Sequence, residues 1–172
     1  MKLGKLIRRN GLMLFGGAAL LAALVIGIAT IVFAQGDDAV KLEIDMGEMF
    51  FQVNGGEKNA PIVLKAGETY DIVYKNIGTV THEAQFGRDP DMSSGVAHDY
   101  TVFLFGNSEV KAEGSHEVEA SEEEGLVEVK LEPGEEAEVI VTVPADAQGE
   151  WEIGCFIPGH YEAGMKAPVT VE

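Results

Sequence analysis

From Val40 onward the chain alternates apolar and polar residues in short runs. Val40 to Met46 reads VKLEIDM, Glu68 to Lys75 reads ETYDIVYK and Ala137 to Val143 reads AEVIVTV. A period of two places the apolar side chains of each run on one face of a strand. Glu48 to Val53, Pro61 to Lys65, Val80 to Phe86, Val127 to Leu131, Glu150 to Cys155 and Ala167 to Val171 are further β-rich runs. Gly and Pro punctuate them, as in Ala66-Gly67 and Glu132-Pro133-Gly134-Glu135. Short strands at this spacing predict an all-β antiparallel sandwich. No internal repeat and no long amphipathic helix competes with it. The least regular part, Gly87 to Gly125, reads as an insertion between the strand carrying His82 and the strands leading to Cys155.

The N-terminus obeys a different pattern. Lys2, Lys5, Arg8 and Arg9 precede an uncharged apolar run from Leu12 to Ala34. Such a run is long enough to cross about 30 Å of hydrocarbon at about 1.5 Å per residue. The basic flank is expected to stay cytoplasmic and to send everything after Gln35 to the other side of the membrane. A cleaved signal peptide with Val32-Phe33-Ala34 as its processing site is the alternative. The apolar run exceeds the norm for such a peptide, so a single-pass anchor is expected. The resulting layout is a flank and transmembrane helix at 1–34, a linker at 35–39, and an extracytoplasmic, periplasmic-type domain at 40–172 with its insertion at about 87–125.

Charge narrows the partners. Of the twelve Lys and Arg, four precede Asp37, whereas all 29 Asp and Glu follow Gly36. An exported surface this acidic excludes nucleic acid and anionic lipid as natural partners. It suits a partner protein with a basic surface, because complementary charge speeds encounter; the alternative is that the acidity serves only to keep the domain soluble.

The candidate chemistry lies in GCFIPGHYEAGMKAPVTV. Cys155 is the sole cysteine, and an unpaired thiol in an oxidising compartment needs a holder. Cys155, His160 and Met165, spaced C-x4-H-x4-M, offer a thiolate, an imidazole and a thioether from one loop. Pro158-Gly159 supplies a fixed φ followed by a permissive one, which lets the loop turn both donors toward one ion. A second imidazole must come from elsewhere, and His82 in NIGTVTHEAQF is placed to supply it. Two His and one Cys with a weak axial Met is the ligand set of a blue-copper centre. Zinc sites rarely use a thioether. His98 and His116 fall in the insertion and read as surface residues.

The runs YKNIGTVTHE, LEPGEEAEVIVTVP and GEWEIGCFIPGHYEAGMKAPVTV resemble the cupredoxin family of plastocyanin- and azurin-like proteins. The resemblance spans roughly residues 40–172, broken by the insertion. It implies an eight-stranded Greek-key β-sandwich with one type 1 copper ion, Cu+/Cu2+, held by His82, Cys155, His160 and Met165. The Cys–His and His–Met spacings are wider than in plastocyanin and closer to rusticyanin. The resemblance also implies that His160 is the electron port, framed by Ile157, Pro158, Ala163 and Pro168. Many members carry Asn directly after the first His, where its side chain ties the two ligand loops together. This chain has Glu83 there, which leaves only the backbone N–H to donate to the Cys155 sulfur.

These readings lead to a membrane-tethered electron carrier, not an enzyme. It would pass single electrons between redox proteins, such as a cytochrome c or a respiratory or photosynthetic membrane complex. The alternative is an extracytoplasmic copper-binding protein of copper homeostasis. A standalone copper enzyme needs a second catalytic centre with further His ligands, and the chain has four His in all.

Overall fold

The computed structural model describes residues 39–114, 117–121 and 124–172, in which twelve strands and no helix occur. The expected flank and anchor, and all of the linker but Ala39, lie outside the described residues. The strands are β1 (Val40–Gly47), β2 (Phe50–Val53), β3 (Ile62–Leu64), β4 (Thr69–Asn76), β5 (His82–Pro90), β6 (Tyr100–Phe103), β7 (Val110–Gly114), β8 (Glu117–Ser121), β9 (Gly125–Leu131), β10 (Glu136–Thr142), β11 (Gly149–Gly154) and β12 (Lys166–Val171). One sheet runs β2-β1-β4-β10-β7 and the other β3-β12-β11-β5-β9-β8, with β6 also paired to β5.

Every run of alternating residues forms the strand expected of it. In β4, Tyr70, Ile72, Tyr74 and Asn76 are buried while the residues between them are partly exposed. β10 does the same with Ala137, Val139 and Val141. These faces meet Phe86, Val129, Leu131, Ile153, Ala167 and Val169 of the opposite sheet in one apolar core. Each fully buried aliphatic side chain of that kind contributes roughly 1.5–3 kcal/mol.

Two features depart from the expected antiparallel, eight-stranded sandwich. β1 runs parallel to β4, and β3 parallel to β12. Alternation reports which face of a strand is buried and carries no information on direction. The second departure is the Gly87–Gly125 segment, about half of whose described residues lie in strands. It lengthens β5 to Pro90, adds β6 beside it, and contributes β7 to the edge of one sheet and β8 to the edge of the other.

The topology puts the chemistry at one end. β5 starts at His82 and β11 stops at Gly154, with Gly154 opposite Gln85. Antiparallel pairing therefore brings His82 and Cys155 to the same rim of the sheet. Lys166 pairs with Gly154, so Met165 arrives at that rim from the next strand. His82, Ala84 and Phe86 continue the inward face of β5. Glu83 and Gln85 point the other way and are nonetheless 5% and 1% exposed. β5 is covered on both faces.

Candidate metal centre

His82, Cys155 and His160 are brought together, each offering a ligand atom within 4.8 Å of the others. His160 Nδ1 lies 3.4 Å from Cys155 Sγ, and the two imidazole centroids are 5.1 Å apart. His82, Cys155 and Met165 are fully buried, and His160 retains 9% exposure. Met165 has its backbone bracketed by the two donors of its loop: its N–H donates to the His160 carbonyl at 3.0 Å, and its carbonyl accepts from the Cys155 N–H at 3.1 Å.

The ligand loop folds back by local turns. The His160 N–H donates to the Ile157 carbonyl at 2.9 Å across Pro158-Gly159, with Gly159 at φ 87°. A fixed φ followed by a positive one is what such a turn demands. The His82 loop is pinned by Asn76, which is 2% exposed. Its carboxamide accepts from the Gly78 N–H at 2.9 Å and donates to the Val80 and Leu131 carbonyls at 2.8 Å each. Gly78 is needed there, since a Cβ would stand 2.8 Å from His82 Nε2 and 2.9 Å from Glu48 Oε1. Glu48 itself accepts from the Thr79 N–H and hydroxyl.

The side-chain tie that sequence reasoning missed at Glu83 exists. Its N–H lies 3.5 Å from Cys155 Sγ, and its Oε1 accepts from the Phe156 N–H at 2.7 Å. A carboxyl thus does what Asn does elsewhere, binding the strand of the first His to the loop of the Cys. Asn59 is a second unexpected tie. It accepts from the Phe51 N–H at 2.9 Å and donates to the Met49 and Gly164 carbonyls at 3.3 and 3.1 Å. The asparagine in NGGEKNAP was a legible loop signal, but its reach to Gly164 was not.

Burial dominates the electrostatics. It pushes the Cys155 thiol up to about 12, partly offset by the Glu83 and Ile157 amides. Burial also lowers both imidazoles; the neighbouring His160 lowers His82 further, while Glu48 opposes the shift. Glu83 is raised to about 8 by burial first and the adjacent Glu128 second, against the Phe156 N–H. The protein's own groups thus leave a neutral thiol facing two neutral imidazoles.

Neither nitrogen of the buried His82 ring has a hydrogen-bond partner. Buried polar atoms are normally paired, and an orphaned imidazole is costly. An ion held between His82, Cys155 and His160 would satisfy it. Two imidazoles and one thiol that can ionise, with the buried Met165 tied through its backbone to Cys155 and His160, fit a type 1 copper ion in donor type.

Around the rim, Pro158 and Ala163 are exposed and Ile157 is partly so, next to His160. Pro168 sits three residues along β12 from Met165, opposite Glu152. Ile77 and Val80 of the His82 loop, 54% and 43% exposed, extend the apolar surface at this end and were not anticipated. His98 is exposed in the β5–β6 loop, with Nε2 2.5 Å from Ser94 Oγ.

No family model matches the chain. Over 147 residues it is 29% identical to the copper-resistant cuproprotein CopI of Pseudomonas aeruginosa, covering 76% of this chain and 75% of that protein. Among solved structures it is similar to auracyanin B, with a TM-score of 0.51 at 21% identity over 78% of this chain and 90% of that one. It is also similar to a rusticyanin variant, with a TM-score of 0.50 at 14% identity over 78% of each chain. At these identities the likeness is one of architecture, and the described domain is a cupredoxin-like all-β sandwich.

Proposed function

We propose that this protein is a type 1 copper electron carrier, tethered by its N-terminal segment to the outer side of the cytoplasmic membrane. The observation that carries the reading is the buried His82–Cys155–His160 cluster with an unpaired imidazole at its centre. Bound copper supplies a one-electron Cu+/Cu2+ couple. The chain supplies the rest. Cys155 gives up its proton on loading, and the Glu83 and Ile157 amides are directed at the resulting thiolate. The ties from Asn76, Glu83 and Asn59 hold the donors in place, so little rearrangement accompanies a change of charge. His160, alone among the ligands in touching solvent, offers the exit, and Ile77, Val80, Ile157 and Pro158 provide an apolar contact area around that end.

The acidic surface favours a redox partner with a basic face, such as a cytochrome c or a membrane respiratory or photosynthetic complex, and disfavours nucleic acid. Membrane tethering would raise the effective concentration near such complexes. The reading is of a carrier and not an enzyme, because two of the four His are at this centre and too few remain for a second copper site.

One observation favours a second reading. The 29% identity to a copper-resistant cuproprotein supports a role in copper homeostasis. Transfer of copper to an apo-acceptor separates the two: a carrier keeps its metal, a handling protein passes it on. The primary test is the absorption and EPR spectrum of the copper-loaded protein beside Cys155→Ser. An intense visible thiolate-to-copper band, absent in the variant, is expected. A colourless copper-loaded wild type overturns the reading.

A further inference from the structure

The β5–β6 loop, Asp91 to Asp99, is exposed at Met92, Ser93, Ser94, Gly95, Val96, His98 and Asp99, yet Ala97 is 5% exposed. Ala97 and Tyr100, at the start of β6, are buried against Phe156 and Tyr161 in a cluster separate from the main core. Phe156 follows Cys155 and Tyr161 follows His160, so this cluster is the outer side of the ligand loop. The Phe156 and Tyr161 rings stack at 5.0 Å, and Tyr100 meets Phe156 edge-on at 4.8 Å. Polar contacts close the same seam. The Ala97 N–H donates to Glu162 Oε1 at 2.8 Å. The Tyr100 and Tyr161 hydroxyls both donate to Glu152 Oε1, at 2.8 and 2.6 Å.

Room has been made for Tyr100. A Cβ at Gly87 would stand 2.5 Å from its Cβ, and a Cβ at Gly154 2.6 Å from its hydroxyl. The ring therefore lies against the two neighbouring strands that deliver His82 and Cys155. Lifting the loop between Cys155 and His160 from the sheet would part Phe156 and Tyr161 from Tyr100.

We propose that the hairpin from Pro90 to Phe103 is a strap over the ligand loop, with Tyr100 and Ala97 as its contacts, and that it sets the rate at which copper is exchanged. Tyr100 is a positioning residue that acts through Phe156 and Tyr161. The inference rests on the copper reading above. It also separates that reading's two forms, since a closed strap retains metal.

The test uses the full-length chain. Copper-loaded wild type, Y100A, Y100F and E162A are challenged with an excess of a Cu(I) chelator after reduction, and amide exchange is followed in the metal-free forms. Y100A and E162A are expected to lose copper roughly tenfold faster, the scale of one lost charge-assisted hydrogen bond or more. Y100F keeps the covering ring but loses the hydroxyl's bond to Glu152 Oε1, so its rate should lie between those of wild type and Y100A. In the metal-free proteins, exchange at Ala97 and at Gly164, whose N–H donates to the Tyr161 carbonyl, should quicken while β4 and β10 stay protected. Glu162 is exposed, so E162A carries the test if Y100A does not fold. Chelator rates unchanged in folded Y100A and E162A overturn the proposal, as does a Y100F rate equal to that of Y100A. If the wild type takes up no copper, the copper reading fails, and the amide-exchange arm alone decides whether the strap holds the loop.

Discussion

The main core interleaves side chains from both sheets, so that Ile72 and Val139 of one face Phe86 and Val169 of the other. The smaller cluster of Ala97, Tyr100, Phe156 and Tyr161 has no such frame. It joins one loop to another, and half of its members bear hydroxyls fastened to a single carboxylate oxygen. The first cluster resists deformation because any shift opens voids along strands paired over seven residues. The second can part along one seam, by losing a few ring contacts and hydrogen bonds. A centre that must be rigid in use and reachable for loading is served by this division. The frame fixes His82 and the start of the ligand loop, while the seam governs access to the loop's outer side.

The comparison breaks most visibly with a cavity in the frame. Ile72→Ala should reduce unfolding stability by about 3–4 kcal/mol, read by denaturant titration of the metal-free protein. The visible spectrum of the copper-loaded variant should keep its band positions, since Ile72 supplies no tie to the ligand loop. Bands that move with this substitution would mean that frame and site deform together.

Gly154→Ala strikes the seam. The new Cβ would press on the Tyr100 hydroxyl and, at 3.2 Å, on the Tyr161 ring. Overpacking of that kind should cost about 2 kcal/mol. Protection should fall at Ala97 and Gly164 well before it falls in β1, β4 and β10. Equal loss of protection across both sheets would show the two clusters to be a single cooperative unit.

The two regions also differed in how far they could be read from the chain. The frame was legible because β4 and β10 bury every second residue, and period two is the signature of a half-buried strand. The meeting of Cys155 and His160 was legible because the two lie five residues apart on one loop turned by Pro158-Gly159. β7 and β8 were not: VKAEG and EVEAS are sheet-edge strands with little apolar face to announce them. β5 hid its period because Glu83 and Gln85 are covered as completely as His82 and Ala84. Strand direction was invisible for the same reason that alternation was informative, and β1–β4 and β3–β12 turned out parallel. The ties at Glu83 and Asn59 span 73 and 105 residues, and no local pattern encodes them. Ala97 carried no signal at all, being one small apolar residue in a polar loop.

The smallest effect sharpens the comparison from the axial side. Asn59 adopts φ 53°, a conformation Asn tolerates and Ala does not favour. Its carboxamide holds the carbonyl of Gly164, the residue directly before Met165. Asn59→Ala should lower stability by only about 1 kcal/mol, because the lost bonds are part-buried and water can replace some of them. Its effect on the copper spectrum should be larger than its effect on folding. With the anchor on Gly164 gone, the thioether is free to shift relative to the ion, and the relative intensities of the visible bands should change. If stability falls as expected but the spectrum does not move, Met165 is held by its own backbone bonds to Cys155 and His160 alone. The ligand loop would then be self-sufficient on that side, and dependent on the rest of the molecule only along the Tyr100 seam.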